Sequence, residues 1–367
     1  MTFELKPKQV PKVFDQRIAQ EICNLFPESS EKLRIFFASV ASCSPYLYSQ
    51  ILKEKTWLLN TVRNKDFHIL SLLEPLKSET YDSLYLKLRI AKRRAALWIA
   101  LNDLADTWPL EVVTKNLSEF ADKAINLSWR ASFLKELKKG KFPKQYDGDP
   151  NKVGFFILAM GKLGAFELNY SSDIDLICFF DEEVFHPEDF QKVRRIFINA
   201  TKNMYRILSE NGKDGYVFRT DLRLRPDPSV TPVCMGVDAA ERYYASLGRT
   251  WERAAFIKAR VCAGDHSAGI KFLNNMEPFV WRKYLDYAAI SDAHDIRLRI
   301  RDHYKTKKGD ITLPKHNMKL GRGGIRDIEF FTQTHQIIFG GRDKSIRSRA
   351  TITSLRAVAD KKWLPKV

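Results

Sequence analysis

VGFFILAMGKLGAFELNYSSDIDLICFFD, residues 153–181, sets two short apolar runs on either side of a segment rich in glycine, serine and asparagine. Residues 153–160 and, apart from Asp175, 174–180 are apolar without alternation, as strands buried on both faces read. Gly161 and Gly164 punctuate the first run. Further along, residues 187–210, PEDFQKVRRIFINATKNMYRILSE, carry helical spacing that ends near Gly212. Residues 216–225, YVFRTDLRLR, then alternate and predict a third strand. A small α/β domain is therefore expected between residues 151 and about 233.

On both sides the period returns to that of helices. Residues 12–140 read as helical, with apolar positions recurring every three to four residues in 86–106 and 112–137, and with Gly140 as a C′ residue. Residues 141–151, KFPKQYDGDPN, are a polar linker. Helical patterns resume over 237–247, 249–261 and 281–304, and a glycine-rich loop at 319–324 opens a helix that Gly340-Gly341 closes. The fold class is α+β, mostly helical, divided as an N-terminal helical region 1–145, a catalytic domain 146–265 and a C-terminal helical region 266–367. No internal repeat or low-complexity segment interrupts this. The sequence stops inside a helical pattern, so a truncation boundary is expected there.

Composition narrows the class. No stretch approaches the roughly 20 apolar residues of a membrane span, and the N-terminus lacks the apolar core of a secretory signal. Five cysteines stand singly, which suits reduced thiols and a cytoplasmic location. Seven histidines form no metal-binding spacing, which leaves a zinc site without support. The net charge of +17 favours phosphate-bearing partners. The basic residues are dispersed, however, with only short clusters at Lys92-Arg93-Arg94 and Lys138-Lys139, which argues against a nucleic-acid groove.

The chemistry concentrates in Ser171-Ser172-Asp173-Ile174-Asp175. Residues i and i+2 of a strand share a face, so Asp173 and Asp175 project together. Paired carboxylates repel one another, and hard oxygen ligands on one face suit Mg²⁺. The plain alternative is a carboxylate pair at an exposed strand edge. Gly161 and Gly164 permit the close backbone approach of a phosphate cradle, and Lys162 adds a charge to it. In the alternating strand, Asp221, Arg223 and Arg225 share a face, an arrangement suited to a phosphoryl site. Its plain alternative is a solvated face with an internal ion pair.

A glycine turn, then two acids on a strand, then a third acid on a later strand resembles the DNA polymerase β-like nucleotidyltransferase superfamily. Within it the sequence is similar to the glutamine-synthetase adenylyltransferase/adenylyl-removing enzyme family. The residues that carry this are 159–181, 218–227 (FRTDLRLRPD), 248–265 (GRTWERAAFIKARVCAGD) and 319–333 (KLGRGGIRDIEFFTQ). Ala165-Phe166 and Pro228 depart from it, where the family has small residues and glycine. Members carry two homologous catalytic halves, and SSDIDL with KLGRGGIRDIEF resembles the N-terminal, deadenylylating half. The resemblance implies a polymerase β-like domain with a small mixed sheet. It implies Asp173, Asp175 and Asp221 as catalytic Mg²⁺ ligands. It further implies phosphorolysis, in which inorganic phosphate removes AMP from a tyrosine of glutamine synthetase and yields ADP. Glutamine synthetase is then the protein partner, with a PII-type signal protein as a further one.

Phosphate or nucleotide contacts are expected from Gly161, Lys162, Gly164, Ser172, Arg223, Arg225 and Arg322, the last at a helix start. Trp251 reads as core packing, Glu252 as a local partner of Arg249 or Arg253, and Asp327 and Glu329 as first-turn acids. Competing functions are a nucleotidyltransferase acting on nucleic acid or a small molecule, and a non-catalytic regulatory fragment.

Overall fold

The structure, a computed structural model, describes residues 5–146, 148–283, 316–319, 321 and 323–361. The helix expected over 281–304 falls largely outside them, as does Arg322. The chain is α+β and mostly helical, with one small mixed sheet. It forms two compact units that exchange segments. Unit 1 is 1–142, 166–173 and 199–220; unit 2 is 143–165, 174–198 and 221–367. These units cut across the contiguous division 1–145, 146–265 and 266–367.

The helices of unit 1 are α1 (Gln16–Leu25), α2 (Glu31–Cys43), α3 (Pro45–Lys53), α4 (Lys55–Arg63), α5 (Tyr81–Leu104) and α6 (Leu110–Leu137). Their starts follow local chemistry. Asp15 caps α1 by accepting from the amides of Arg17 and Ile18, and Ser44 caps α3 with Pro45 at its first position. Trp98 on α5 and Phe120, Trp129 and Phe133 on α6 are fully buried. The Lys92-Arg93-Arg94 cluster is largely structural: Arg93 and Arg94 both pair with buried Glu54, at 2.6 and 2.7 Å. Arg89, also buried, donates to the carbonyls of Gly215 and Glu210, at 2.7 and 2.5 Å. It thereby fastens the 210–215 turn to α5.

Unit 2 carries the sheet. Its strands are β1 (Phe155–Ala159), β2 (Ile174–Phe180), β3 (Thr220–Asp221), β4 (Cys234–Gly236) and β5 (Arg260–Gly264), in the order β3-β2-β1-β5 with β4 also on β2. β1 is antiparallel to β2, with Phe155 opposite Phe180 and Ala159 opposite Leu176. β5 is antiparallel to β1 and β4 parallel to β2. α7 (Gly161–Gly164) follows β1, and α8 (Phe190–Ser209) begins in unit 2 and ends in unit 1. α9 (Val237–Ser246), α10 (Thr250–Phe256), α11 (His266–Asn275), α12 (Glu277–Val280), α13 (Ile325–Phe339) and α14 (Thr351–Asp360) are the further α-helices of the unit among the described residues.

Alternate residues of the strands enter two aromatic layers, as the pleat requires. Phe155 and Phe180 meet Phe197 of α8, each with ring centroids 5.3 Å apart. Phe156 and Phe179 meet Phe272 of α11, at 5.7 and 4.8 Å. The same layer gathers Leu158, Ile177, Tyr244, Phe256 and Phe279.

Three expectations are corrected here. The alternating strand over 216–225 shrinks to Thr220–Asp221, because the backbone turns at Arg223. The helix expected over 249–261 ends at Phe256, and residues from Arg260 form β5. Helical spacing in 249–261 concealed an apolar strand that buries itself against β1, an ambiguity inherent to short apolar runs. β4 was likewise not anticipated. The glycine segment, expected as a tight turn, is a single helical turn.

Phe179 bridges Phe156 and Phe272, so Phe179→Ala should destabilise the protein by about 3–5 kcal/mol. Urea unfolding checks this, and a loss below about 1 kcal/mol, the scale of an ordinary tolerated swap, would contradict the packing described.

Candidate active site

The site begins at the end of the β1–β2 ladder where Ala159 pairs with Leu176. Beyond Ala159 the ladder gains one more bond, Met160 N–H to the carbonyl of Asp175, at 2.9 Å. The chain then turns at Gly161, whose φ of +54° lies in the left-handed region. A Cβ there would stand 2.8 Å from Asp175 Oδ2, so the carboxylate lies directly against the glycine backbone. Gly164 is required by packing. A Cβ would stand 2.0 Å from the Lys258 carbonyl and 2.7 Å from that of Ala159. Arg260 donates to the carbonyl of Leu163 at 2.9 Å and closes the same turn against β5. Both glycines are thus demanded by geometry beside Asp175. Phe166, at φ +59°, takes a conformation in which glycine is at ease, and marks where the chain leaves this turn.

Segment 166–173 belongs to unit 1 and is fastened there. Leu168 N–H donates to Ser118 Oγ on α6 at 3.2 Å, and Tyr170 Oη donates to Asp103 on α5 at 2.8 Å. Asp173 ends this segment, one residue before β2. Its side chain is exposed and pairs with Arg219, whose Nε lies 2.5 Å from Oδ1. Arg219 also donates to the carbonyl of Ser171 at 2.5 Å, and so clamps the segment that leads into the strand.

Asp221 terminates β3. Its carboxylate accepts the Arg223 amide at 2.8 Å, the short-range bond that ends the strand and turns the chain. The Arg223 guanidinium, itself 83% exposed, returns to the same carboxylate at 2.5 Å. That hydrogen bond holds the Asp221 carboxyl below its ordinary range, against the opposing effect of partial burial.

The sequence-predicted residues therefore divide. Gly161, Gly164 and Asp175 come together in unit 2, with half-buried Lys162 on the same helical turn. Ser172 is half-buried and its amide donates to the carbonyl of Asn169. Arg225 does not share a strand face with Asp221. It donates to the carbonyls of Leu222, Pro228 and Thr231, and shapes the loop after β3. Arg322 lies outside the described residues. Arg219 was missed in the sequence. Its two-residue spacing from Asp221 was the available signal, overshadowed by Arg223 and Arg225.

The outlying motifs have structural work. Glu252, 2% exposed, accepts the Arg249 amide at 2.8 Å and caps α10, and burial pushes its carboxyl up. Asp327 accepts the Gly323 amide at 3.0 Å at the start of α13. Glu329 is more than a first-turn acid, since it pairs with buried Lys258 at 2.9 Å. Trp251 is 38% exposed, which corrects its reading as core.

Asp173, Asp175 and Asp221, the expected Mg²⁺ ligands, each offer the carboxylate oxygens that hard cations favour. Among the described residues, no three acid, histidine or cysteine side chains converge as metal ligands. Arg219 and Arg223 hold two of the carboxylates instead. Both guanidiniums are at least half exposed.

Residues 35–275 match the protein family described as glutamate-ammonia ligase adenylyltransferase, and residues 294–367 match the one described as GlnD PII-uridylyltransferase. Among curated relatives, three bifunctional glutamine synthetase adenylyltransferase/adenylyl-removing enzymes are similar. That of Bradyrhizobium sp. (strain BTAi1) is 40% identical over 97% of this chain and 38% of its own length. That of Rhodopseudomonas palustris (strain TIE-1) is 42% identical over 93% of this chain and 34% of its own. That of Rhizobium meliloti (strain 1021) is 48% identical over 76% and 28%. The chain thus spans about a third of the length of these relatives.

Arg223→Gln removes the group that depresses Asp221. A carboxylate with a lowered folded value contributes stability above its unfolded value and loses it as pH falls through the folded one. The variant should therefore be less stable than the parent at neutral pH, and the gap should close in acid. Urea unfolding across pH checks this, and a gap independent of pH would contradict it. Gly164→Ala should cost at least about 1–3 kcal/mol, because the clash is with backbone.

Proposed function

The chain belongs to the glutamate-ammonia ligase adenylyltransferase family, and from that premise we propose that it is the deadenylylating nucleotidyltransferase of a bifunctional enzyme. The reaction is phosphorolysis, on a polymerase β-like catalytic domain. An oxygen of inorganic phosphate forms a bond to the α-phosphorus of an AMP group on a glutamine synthetase tyrosine. The bond from that phosphorus to the tyrosine oxygen breaks, the tyrosine oxygen takes up a proton, and ADP leaves.

The observation that carries this is the Asp175 carboxylate seated against a positive-φ glycine at the end of the β1–β2 ladder, in a chain whose curated relatives are named for adenylyl transfer and removal. The motifs SSDIDL and KLGRGGIRDIEF favour the removing half. Asp173, Asp175 and Asp221 are the residues that would hold Mg²⁺, which when bound would neutralise charge on the reacting phosphoryl oxygens. Lys162 on the glycine turn, and Arg219 and Arg223 once displaced from their carboxylates, would balance the charge of the incoming phosphate. Phosphate is already an anionic nucleophile, so the reaction asks for no strong general base.

A PII-type signal protein as a regulatory partner draws support from the match of residues 294–367 to a PII-uridylyltransferase model. A cytoplasmic location follows from the substrate proposed.

Adenylylated glutamine synthetase, Mg²⁺ and phosphate should release ADP in the presence of the chain. Asp173→Asn and Asp175→Asn should each lower the rate by more than about a hundredfold. Release of AMP or transfer onto tRNA, with no ADP, would sink the reading.

A further inference from the structure

Unit 1 contains a cleft of about 710 Å³ between α3, α5 and the segments 170–172 and 213–219. That volume suits a small organic ligand. The lining is unbalanced in charge. Lys53, Lys92 and Lys213 face it, and no acid among the described residues pairs with any of them. The two acids of the lining are already engaged, Asp214 with Arg93 at 2.8 Å and Asp103 with the Tyr170 hydroxyl at 2.8 Å.

Lys92 is the most constrained of the three cations. It is half-buried, with its ammonium 4.4 Å from the centroid of the Phe218 ring, and burial pushes it down to about 8. A cation held there without a counter-charge is poorly solvated, and an anion entering the cleft would compensate it. Gln50 on α3 adds an independent sign. It is 8% exposed, lines the same cleft, and its Oε1 has no hydrogen-bond partner. Buried carbonyls in folded proteins are almost always satisfied, so this one calls for a donor from outside the protein. The lining also offers flat rings, from Tyr46, Tyr216 and Phe218. Anion, N–H donor and planar ring together describe one ligand class.

We propose that this cleft binds a nucleoside phosphate, its phosphate recognised by Lys92 with Lys53 and Lys213, and an N–H of its base by Gln50 Oε1. Arg219 connects the cleft to the carboxylates, since it lines the one and holds Asp173 of the other. A phosphate that draws Arg219 into the cleft leaves Asp173 without its guanidinium, so occupancy and the availability of Asp173 are linked. The site uses residues of unit 1 alone and stands whether or not phosphorolysis is the reaction.

Isothermal titration of the whole chain with ADP in EDTA tests it. Saturable binding is expected, weakened about tenfold or more by Lys92→Gln and by Gln50→Leu, as loss of a hydrogen bond or ion contact requires. Asp175→Asn should bind ADP like the parent, and thermal melts would establish that each variant is folded. Absence of binding in EDTA overturns the proposal. So does binding that survives both cleft substitutions, or that is lost only in Asp175→Asn. Inorganic phosphate competing as well as ADP would overturn the nucleoside assignment.

Discussion

The backbone of Phe155–Ala159 has no solvent-facing side, and every residue of the strand is fully buried. Each of its amides and carbonyls must therefore find a partner in the sheet, since an unpaired one would cost as much as a lost hydrogen bond. β2 and β5 supply those partners from either side. A strand so enclosed can only leave the sheet abruptly. Gly161 makes that exit possible with its positive φ, and Gly164 lets the next turn lie against the backbone of residue 258. The position of Asp175 follows from the same ladder, because the Met160 amide bonds to its carbonyl. The burial of one strand thus fixes both the glycine turn and the carboxylate beside it.

Charge is arranged more loosely. Asp173 is held by Arg219 from a distant segment and Asp221 by Arg223 two residues on, and both guanidiniums are at least half exposed. Exposed ion pairs of this kind contribute on the order of 1 kcal/mol or less. They can be exchanged for another cation at little cost. Buried pairs elsewhere, such as Glu54 with Arg93 and Lys258 with Glu329, are structural and cannot be traded in this way. The molecule therefore keeps its fixed charges in the framework and its exchangeable ones on the candidate catalytic carboxylates.

The central strands, α8 and the long helices α5 and α6 were legible in the sequence, because each is long or uniformly apolar. The break in the chain at Gly161 was legible for the same reason, but the helical turn that follows it was not, since the sequence suggested a tight turn. The end of β3 was not. Alternation over YVFRTDLRLR suggested a strand, but the Asp221 carboxylate captures the Arg223 amide and turns the chain, a local bond that side-chain patterning does not register. β5 was hidden because RVCAG continues the helical spacing of the residues before it. The exchange of segments 166–173 and 199–220 into unit 1 depends on contacts such as Leu168 with Ser118, distant in sequence and invisible to periodicity.

The proposed function requires Asp173, Asp175 and Asp221 to hold a divalent cation. Titration of Mn²⁺, followed by its electron paramagnetic resonance signal in the presence of ADP, measures this directly. Saturable loss of the free-ion signal is expected with the parent chain, and a much weaker effect with Asp175→Asn and with Asp221→Asn. Equal Mn²⁺ uptake by the parent and both variants would contradict it.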